Sequence, residues 1–317
     1  IKAMLAALRD PYTTSFDPQE NKEFQDQIAG EFGGIGIEMG QKDGALTVVA
    51  PLKGSPASKV GILAGDKIVK IDDHVSLNIS TDEAITFIRG TPGTKVVLTI
   101  AREGLREPKE FTIVRDIIKI PTVDTETFEA EKVFVIRLYN FSAQSSDLFR
   151  QALQTFTESG YTKLVLDLRN NPGGYLEAAV NMASWFLPEG TVVVKEIGKT
   201  DKDTVVHKSH GPGILQGKIK MVILVNGGSA SASEILAGAL SEHGTATLAG
   251  EQTFGKGSVQ EVVAVTPDTS MKVTIAKWYT PKGISISEKG LTPKVEIKRS
   301  KDPENDTQLK EAVKLLQ

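Results

Sequence analysis

The sequence predicts an α/β chain with a small β-rich module set ahead of a larger layered core, and three observations carry that reading. Its 317 residues exceed one ordinary hydrophobic core and suit about two domains of roughly 150 residues each. From Gly33 to Asp116, short strand candidates alternate with glycine- and proline-marked turns. Beyond Asp116, longer apolar strands alternate with amphipathic helices, the pattern of layered α/β structure.

In the module the strand candidates are Leu46 to Ala50, Lys67 to Ile71, Val96 to Ile100 and Phe111 to Val114. Two short helices interrupt them. Ser55-Pro56-Ala57-Ser58-Lys59 places proline in a first helical turn, where its missing N–H is no loss. Ser80-Thr81-Asp82-Glu83 has the capping-box pattern, and Ala84, Ile85 and Ile88 follow on one face. A small open sheet beside one amphipathic helix leaves a groove in which an extended peptide can add as a further strand. The glycine-flanked amides of Gly34-Ile35-Gly36-Ile37 can receive a peptide's terminal carboxylate there, although the same glycines also suit a plain tight turn.

In the core, Val133 to Leu138 and Lys163 to Leu168 read as apolar strands with a helix from Asp147 to Phe156 between them. A second helix is expected over Tyr175 to Leu187 and a strand over Val192 to Lys195. Met221 to Val225 is almost wholly apolar, as a strand covered on both faces must be. A helix over Ser231 to His243, an extended Thr245 to Ala249 and an alternating strand Met271 to Tyr279 complete this part. Gln308 to Gln317 gathers Leu309, Ala312, Val313 and Leu316 on one helical face that needs a cover. The first thirty residues, read as short helical pieces around Asp10-Pro11 and Asp17-Pro18, also lack a core of their own. Together these two segments predict a homodimer. The expected organisation is a helical segment over 1–30, the peptide-binding module over 31–117, the core over 118–300 and a C-terminal helical segment over 301–317.

Composition excludes several classes. Lys plus Arg number 37 against 40 Asp plus Glu, for a formal charge of −3, so no basic footprint for a nucleic-acid backbone exists. The absence of cysteine rules out disulfides, thiolate metal sites and a cysteine nucleophile. No apolar run approaches the ~20 residues of a membrane-spanning helix. The start, Ile1-Lys2-Ala3-Met4, has neither an initiator methionine nor a signal-peptide layout, as expected of a fragment whose targeting segment was removed.

Chemistry concentrates in Val225-Asn226-Gly227-Gly228-Ser229-Ala230-Ser231-Ala232-Ser233-Glu234, which runs from a buried strand through glycines into a helix start. A serine at such a junction stands clear of the sheet, and the unpaired amides of the first helical turn can face an anion. Ser231 with Glu234 three residues on also fits a capping box. A serine hydroxyl needs a base, and the histidines do not supply one. His74 belongs to the module, His207 and His210 to a polar loop, and His243 to the far end of the Ser231 helix, roughly 18 Å away at 1.5 Å per residue. A buried lysine can serve instead, because desolvation favours its neutral form. The candidate is Lys256 in Thr253-Phe254-Gly255-Lys256-Gly257-Ser258-Val259-Gln260, which also reads as a surface lysine in a glycine turn. A phosphate-binding loop does not fit, because Gly257 follows Lys256 where Ser or Thr is required.

Two resemblances bear on these alternatives. Gly34-Ile35-Gly36-Ile37, with Ser55-Pro56-Ala57 and Gly61-Ile62-Leu63-Ala64-Gly65-Asp66-Lys67-Ile68, resembles the PDZ domains. Most of the chain resembles the C-terminal processing peptidases, or tail-specific proteases, of family S41. Their nucleophile lies in a Ser-Ala-Ser-Ala-Ser-Glu stretch and their base in a Thr-Phe-Gly-Lys-Gly segment with Gln four residues after the lysine, here Ser229 to Glu234 and Thr253 to Gln260. Asp167-Leu168-Arg169-Asn170-Asn171-Pro172-Gly173-Gly174 is a further hallmark.

That resemblance implies Ser231 as nucleophile, chosen over Ser229 and Ser233 by its spacing to Lys256, with Lys256 as general base and Gln260 orienting it. It implies an oxyanion hole from the amides of Ala232 and of Gly173 or Gly174, a ClpP/crotonase-like core with an inserted PDZ domain, no metal or organic cofactor, and action outside the cytoplasm. The implied partners are protein C-termini bound through Gly34, Ile35, Gly36 and Ile37, a second copy of the chain, and a membrane-associated substrate or partner. Two rivals are a non-catalytic PDZ scaffold that binds protein C-termini, and an enoyl-CoA hydratase-like enzyme, which explains neither the module nor the Ser/Lys pair. Arg89, at the end of the module's second helix, is a candidate regulator that could pass groove occupancy to the core; a solvated arginine at a helix C-terminus is the plainer reading.

Overall fold

The computed structural model describes residues 5, 10, 13–18, 20–21, 31–119 apart from 43–44, 53, 64, 78, 80 and 103, and 122–317 apart from 201–202, 288 and 301–304. Two compact units emerge, one over Glu31–Ile120 and one formed by Pro121–Gln317 with Ile1–Gly30.

In the Glu31–Ile120 unit an antiparallel sheet runs in the order Ile37–Lys42, Ala45–Pro51, Lys67–Ile71, Lys95–Ala101, Lys109–Val114, and His74–Val75 folds back on Lys67–Ile71. Alternate residues face inward, and an irregularity between Ile68 and Lys70 brings Ile68 and Ile71 to the same side, so Leu46, Val48, Ile68, Ile71, Val96, Leu98, Ile100 and Ile113 make one core with Ala84 and Ile88 of the helix Thr81–Ile88. The helix Pro56–Lys59 is capped by Ser55, whose Oγ accepts the Ser58 N–H at 3.2 Å. Asp66 is wholly buried and receives the Arg102 guanidinium at 2.6 and 2.7 Å, which gives the Gly65-Asp66 turn a structural purpose. Arg115 closes the C-terminal end of Thr81–Ile88 by donating to the carbonyls of Phe87 and Ile88. Asp116–Lys119, which no strand candidate covers, pairs with Glu31–Gly34 in a separate two-stranded ribbon. The proposed capping serine, Ser80, lies outside the described residues.

The larger unit is built on a six-stranded sheet in the order Val123–Phe128, Val133–Leu138, Lys163–Asp167, Lys220–Val225, Thr247–Gly250, Val295–Glu296, parallel except for its first pair. One face carries Phe134, Ile136, Leu164, Leu166, Ile223 and Val225 against the helices Ser145–Glu158, Leu176–Ser184 and Ala232–Glu242. The opposite face carries Val133, Val135, Val165, Val222 and Leu224, and onto it packs the helix Thr307–Lys314 through Leu309, Ala312 and Val313, with Leu316 just beyond. The apolar stripe that predicts a homodimer is therefore buried within its own chain. Periodicity reveals that such a stripe needs a cover, and the second face of the sheet provides one.

A second, antiparallel sheet joins Thr14–Phe16, Ser270–Tyr279, Val192–Ile197 and Thr204–Lys208, with Ser258–Ala264 also on Ser270–Tyr279. A strand at Thr14–Phe16 thus stands inside the segment read as helical pieces, most of which lies outside the described residues. His207 is on the strand Thr204–Lys208 rather than in a loop, with Nε2 3.3 Å from Glu196 Oε2. Among the described residues no helix is long and apolar enough to cross a membrane.

Candidate active site

Three serines crowd the turn between Lys220–Val225 and the helix Ala232–Glu242, and their surroundings separate them. Ser229 is buried and donates its Oγ to Leu168 O at 2.7 Å while accepting Asn226 N–H at 3.0 Å. Ser233 is buried and donates to Asn171 O at 2.9 Å. Both hold the loop together. Ser231 instead reaches a cavity of about 330 Å3, and its backbone sits at φ 55°, ψ −115°. A non-glycine residue costs of order 1–3 kcal/mol in such a conformation and persists only where its surroundings enforce it.

Much of that enforcement comes from Glu234. Its side chain is fully buried, and its two oxygens accept the Ser231 N–H at 2.9 Å, the Lys256 N–H at 3.0 Å, the Gly255 N–H at 2.8 Å and the Thr253 hydroxyl at 2.6 Å. One carboxylate therefore fixes the backbone of the turn bearing Ser231 and of the loop bearing Lys256. Burial raises the Glu234 carboxyl above the ordinary glutamate value, and the four donors oppose that rise. The capping-box reading of Ser231 and Glu234 identifies one of those contacts and misses the other three. The available signal is a glutamate directly ahead of the uncharged run Ile235 to Leu240.

Lys256 lines the same cavity as Ser231 and Ala232. Burial lowers its ammonium below the ordinary lysine value, and the Glu234 charge opposes that shift. Gln260, on the strand Ser258–Ala264, joins them in the lining. Leu176, Ile235, Val259 and Trp278 make much of the wall apolar. None of the four histidines lines this cavity.

The glycine pair enters from the end of Lys163–Asp167. Gly173 has φ 97°, and a Cβ there would stand 2.6 Å from Ala230 O, 2.8 Å from Ser231 Cβ and 2.9 Å from Ala232 N, so only glycine fits against the serine turn. The Gly173 N–H is donated to Asn171 Oδ1 at 2.9 Å. Asn171 is itself fully buried, donates Nδ2 to Leu138 O at 2.7 Å and accepts the Ala230 N–H on its carbonyl at 3.0 Å. Gly174 lines the cavity. Upstream, Arg169 grips Asp167 and Asp306 through paired contacts of 2.9, 2.6, 2.8 and 2.7 Å, anchoring the C-terminal helix to the strand end that carries the glycines.

A second, separate cavity of about 80 Å3 lies in the Glu31–Ile120 unit. Gly34, Ile35, Gly36 and Ile37 line it with Met39, and Ile85, Ile88 and Arg89 form the helical wall. The Ile35 and Gly36 carbonyls accept from Ala57 N–H at 2.9 Å and Ser55 Oγ at 2.9 Å, which ties this loop to the Pro56–Lys59 helix.

The sequence pattern of peptidase family S41 matches residues 132–297, the span that holds Gly173, Gly174, Ser231, Lys256 and Gln260. The chain belongs to peptidase family S41. A PDZ domain pattern matches residues 47–102 of this S41 peptidase, inside the smaller unit. The carboxy-terminal-processing protease of Bartonella bacilliformis is 39% identical over 306 residues, which cover 94% of this chain and 69% of that protein. The carboxy-terminal processing protease CtpA of Bacillus subtilis is 37% identical over 303 residues, 93% of this chain and 62% of that protein. A photosystem II D1 C-terminal processing protease of known structure superposes with a TM-score of 0.66 at 28% identity, covering 99% of this chain and 84% of that one. A putative S41 protease from Bacteroides fragilis shares the fold at 17% identity, with a TM-score of 0.66 and coverage of 99% and 89%. The expected fold class, an α/β S41 core with a β-rich PDZ module, agrees with these relatives.

Proposed function

We propose that this S41 peptidase is a serine endopeptidase of the C-terminal processing type, using Ser231 as nucleophile and Lys256 as general base. The observation that carries the reading is convergence: Ser231, Ala232, Gly174, Lys256 and Gln260 line one largely apolar cavity, while the neighbouring serines are committed to the scaffold.

In this mechanism neutral Lys256 Nζ accepts the Ser231 hydroxyl proton as Oγ bonds to the scissile carbonyl carbon. The resulting oxyanion is received by the amides of Ala232 and Gly174, since the Gly173 N–H is already given to Asn171. Collapse breaks the C–N bond, Lys256 returns the proton to the leaving amine, and an acyl-enzyme on Ser231 remains. Lys256 then takes a proton from water as the water oxygen bonds to the ester carbonyl carbon; on collapse the C–Oγ bond breaks, Lys256 returns that proton to Ser231 Oγ, and the second product leaves as its carboxylic acid. Gln260 orients Lys256. Leu176, Ile235, Val259 and Trp278 favour an apolar side chain beside the scissile bond. Activity should rise with pH as Lys256 loses its proton, with a midpoint below the usual lysine value because burial disfavours the ammonium.

Substrate choice falls to the PDZ groove, where the amides around Gly34 to Ile37 meet a terminal carboxylate and Ile35, Ile37, Met39, Ile85 and Ile88 meet an apolar last side chain. Arg89, on the groove wall, is proposed to sense its occupancy. Action outside the cytoplasm belongs to the same proposal and rests on the family. Mass spectrometry of fragments from one unfolded protein, with and without an apolar C-terminal tail, tests this reading. Cleavage at least about tenfold faster with the tail is expected, which corresponds to roughly 1.4 kcal/mol of tail binding. Equal rates would remove tail recognition, and no cleavage of either form would remove the endopeptidase reading.

A further inference from the structure

The cavity that holds Lys256 contains a second lysine. Lys272 lies on the strand Ser270–Tyr279, which pairs with Ser258–Ala264 in the register Val262↔Lys272 and Gln260↔Thr274. Alternate residues of a strand share a face. Gln260, Val262 and Lys272 accordingly line the same cavity as Ser231 and Lys256. On its other edge the Lys272 strand pairs with Thr14–Phe16, in the register Thr14↔Lys272, and Lys272 Nζ stands 5.5 Å from the centre of the Phe16 ring.

These surroundings treat the two amines differently. Lys272 has partners suited to a cation, the face of Phe16 and the attraction of Asp10. Lys256 has Glu234, whose oxygens already receive four other donors. Tyr175 also lines the cavity, and Glu261 and Lys277, on the two paired strands, are exposed. Two ammonium groups confined to one half-buried space repel, so one of them gives up its proton more readily than it would alone.

Resting on the Ser/Lys reading above, we propose that Lys272, retained as a cation, is the positioning residue whose charge keeps Lys256 in the neutral form that can accept the Ser231 proton. Lys272 exchanges no proton in the cycle; the Ser231 proton passes to Lys256 and on to the leaving amine as before. A lysine activated by a cationic neighbour is an established chemical strategy. Burial and then the Lys256 charge lower Lys272 below the ordinary lysine value, while Asp10 pulls the other way; that direction taken alone favours Lys272 as the neutral amine, and the assignment of the cation to Lys272 rests instead on the Phe16 face and on the shared cavity.

The test is the rate of inactivation of the full chain by a fluorophosphonate across a neutral-to-alkaline pH series, with Ser231 confirmed as the modified residue. Removing the neighbouring charge makes Lys256 harder to deprotonate. Lys272→Met should therefore move the midpoint up by about one pH unit, lowering the rate at neutral pH roughly tenfold and restoring it at alkaline pH. Lys272→Gln supplies the same neutral substitution if the Met variant does not fold. Lys272→Arg keeps a fixed charge and should hold the wild-type midpoint or lower it. A wild-type or lower midpoint in the neutral variants, or an upward shift in the Arg variant equal to theirs, overturns the proposal. Failure of the wild-type chain to form the Ser231 adduct would count against the Ser/Lys reading itself, whereas an adduct with an unmoved midpoint counts against Lys272 alone.

Discussion

Ser231→Ala and Lys256→Ala should each abolish peptide-bond cleavage, by roughly 10^4-fold or more in kcat, while circular dichroism and thermal melting stay close to wild type. Each substitution removes one half of a single proton-transfer unit. The double variant should therefore be scarcely worse than either single one, because effects within such a unit are not additive. Neither side chain makes a contact that the fold depends on to the extent Ser229 and Ser233 do. Those two are bonded to Leu168 O and Asn171 O, and their alanine variants should lose stability before they lose a catalytic group. Gln260→Ala should be milder, on the order of ten- to a hundredfold, since orientation can be partly recovered from the cavity walls. A Ser231→Ala chain with wild-type turnover on an unfolded substrate would contradict the assignment outright.

Glu234→Gln should be severe in a different way, lowering both the melting temperature and the activity. The substitution preserves shape but turns one acceptor oxygen into an NH2 group, and every group facing this side chain is a donor: Ser231 N–H, Lys256 N–H, Gly255 N–H and Thr253 Oγ. Whichever way the amide is turned, two donors lose their acceptor in a fully buried place. At about 1–3 kcal/mol for each unsatisfied buried group, the loss is roughly 2–6 kcal/mol. For a cooperative unit of this size that is a fall in melting temperature of order 5–20 °C. Activity should drop at least a hundredfold even below the melting transition, because the backbone of Ser231 and that of Lys256 are no longer tied to one point. Calorimetry with single-turnover kinetics checks both. A Gln variant as stable and as fast as wild type would mean that Glu234 does not set this geometry.

Sequence reasoning reaches unequal depths in the two units. Strands with clear alternation are legible almost to the residue: Lys95–Ala101 and Lys109–Val114 carry their inward positions in the sequence itself. Ser258–Ala264 is harder to see, because it follows directly on the glycine-flanked Lys256 and its later residues Val262 and Val263 are exposed, so its pattern resembles a turn followed by an unremarkable loop. The stripe on Thr307–Lys314 is visible, but its partner is not. A period of 3.6 residues indicates that a face must be covered and carries no information about which sheet covers it.

The same limit governs the site. Ser231, Lys256 and Gln260 are found through motif spacing, whereas the physical reason for choosing among the three serines lies in contacts more than fifty residues away in sequence, at Leu168 and Asn171. The loop proposed to hold the oxyanion shows the same division. That glycines stand at 173 and 174 is plain from the sequence, but the commitment of the Gly173 amide to Asn171 Oδ1 is a three-dimensional fact, and it shifts the expected donor to Gly174. Lys272 reads as an ordinary polar position on an alternating strand until the register with Val262 places it in the cavity.

The central claim is that Ser231 is an activated nucleophile and Lys256 its base, and one measurement tests it most directly. The full chain is treated with a fluorophosphonate at mildly alkaline pH and its peptides are mapped by mass spectrometry. A single adduct on Ser231, formed in the wild type and in a variant with all four histidines replaced but absent from Lys256→Ala, is the expected result. An adduct on Ser229 or Ser233, or labelling of Ser231 that proceeds equally well without Lys256, would contradict it.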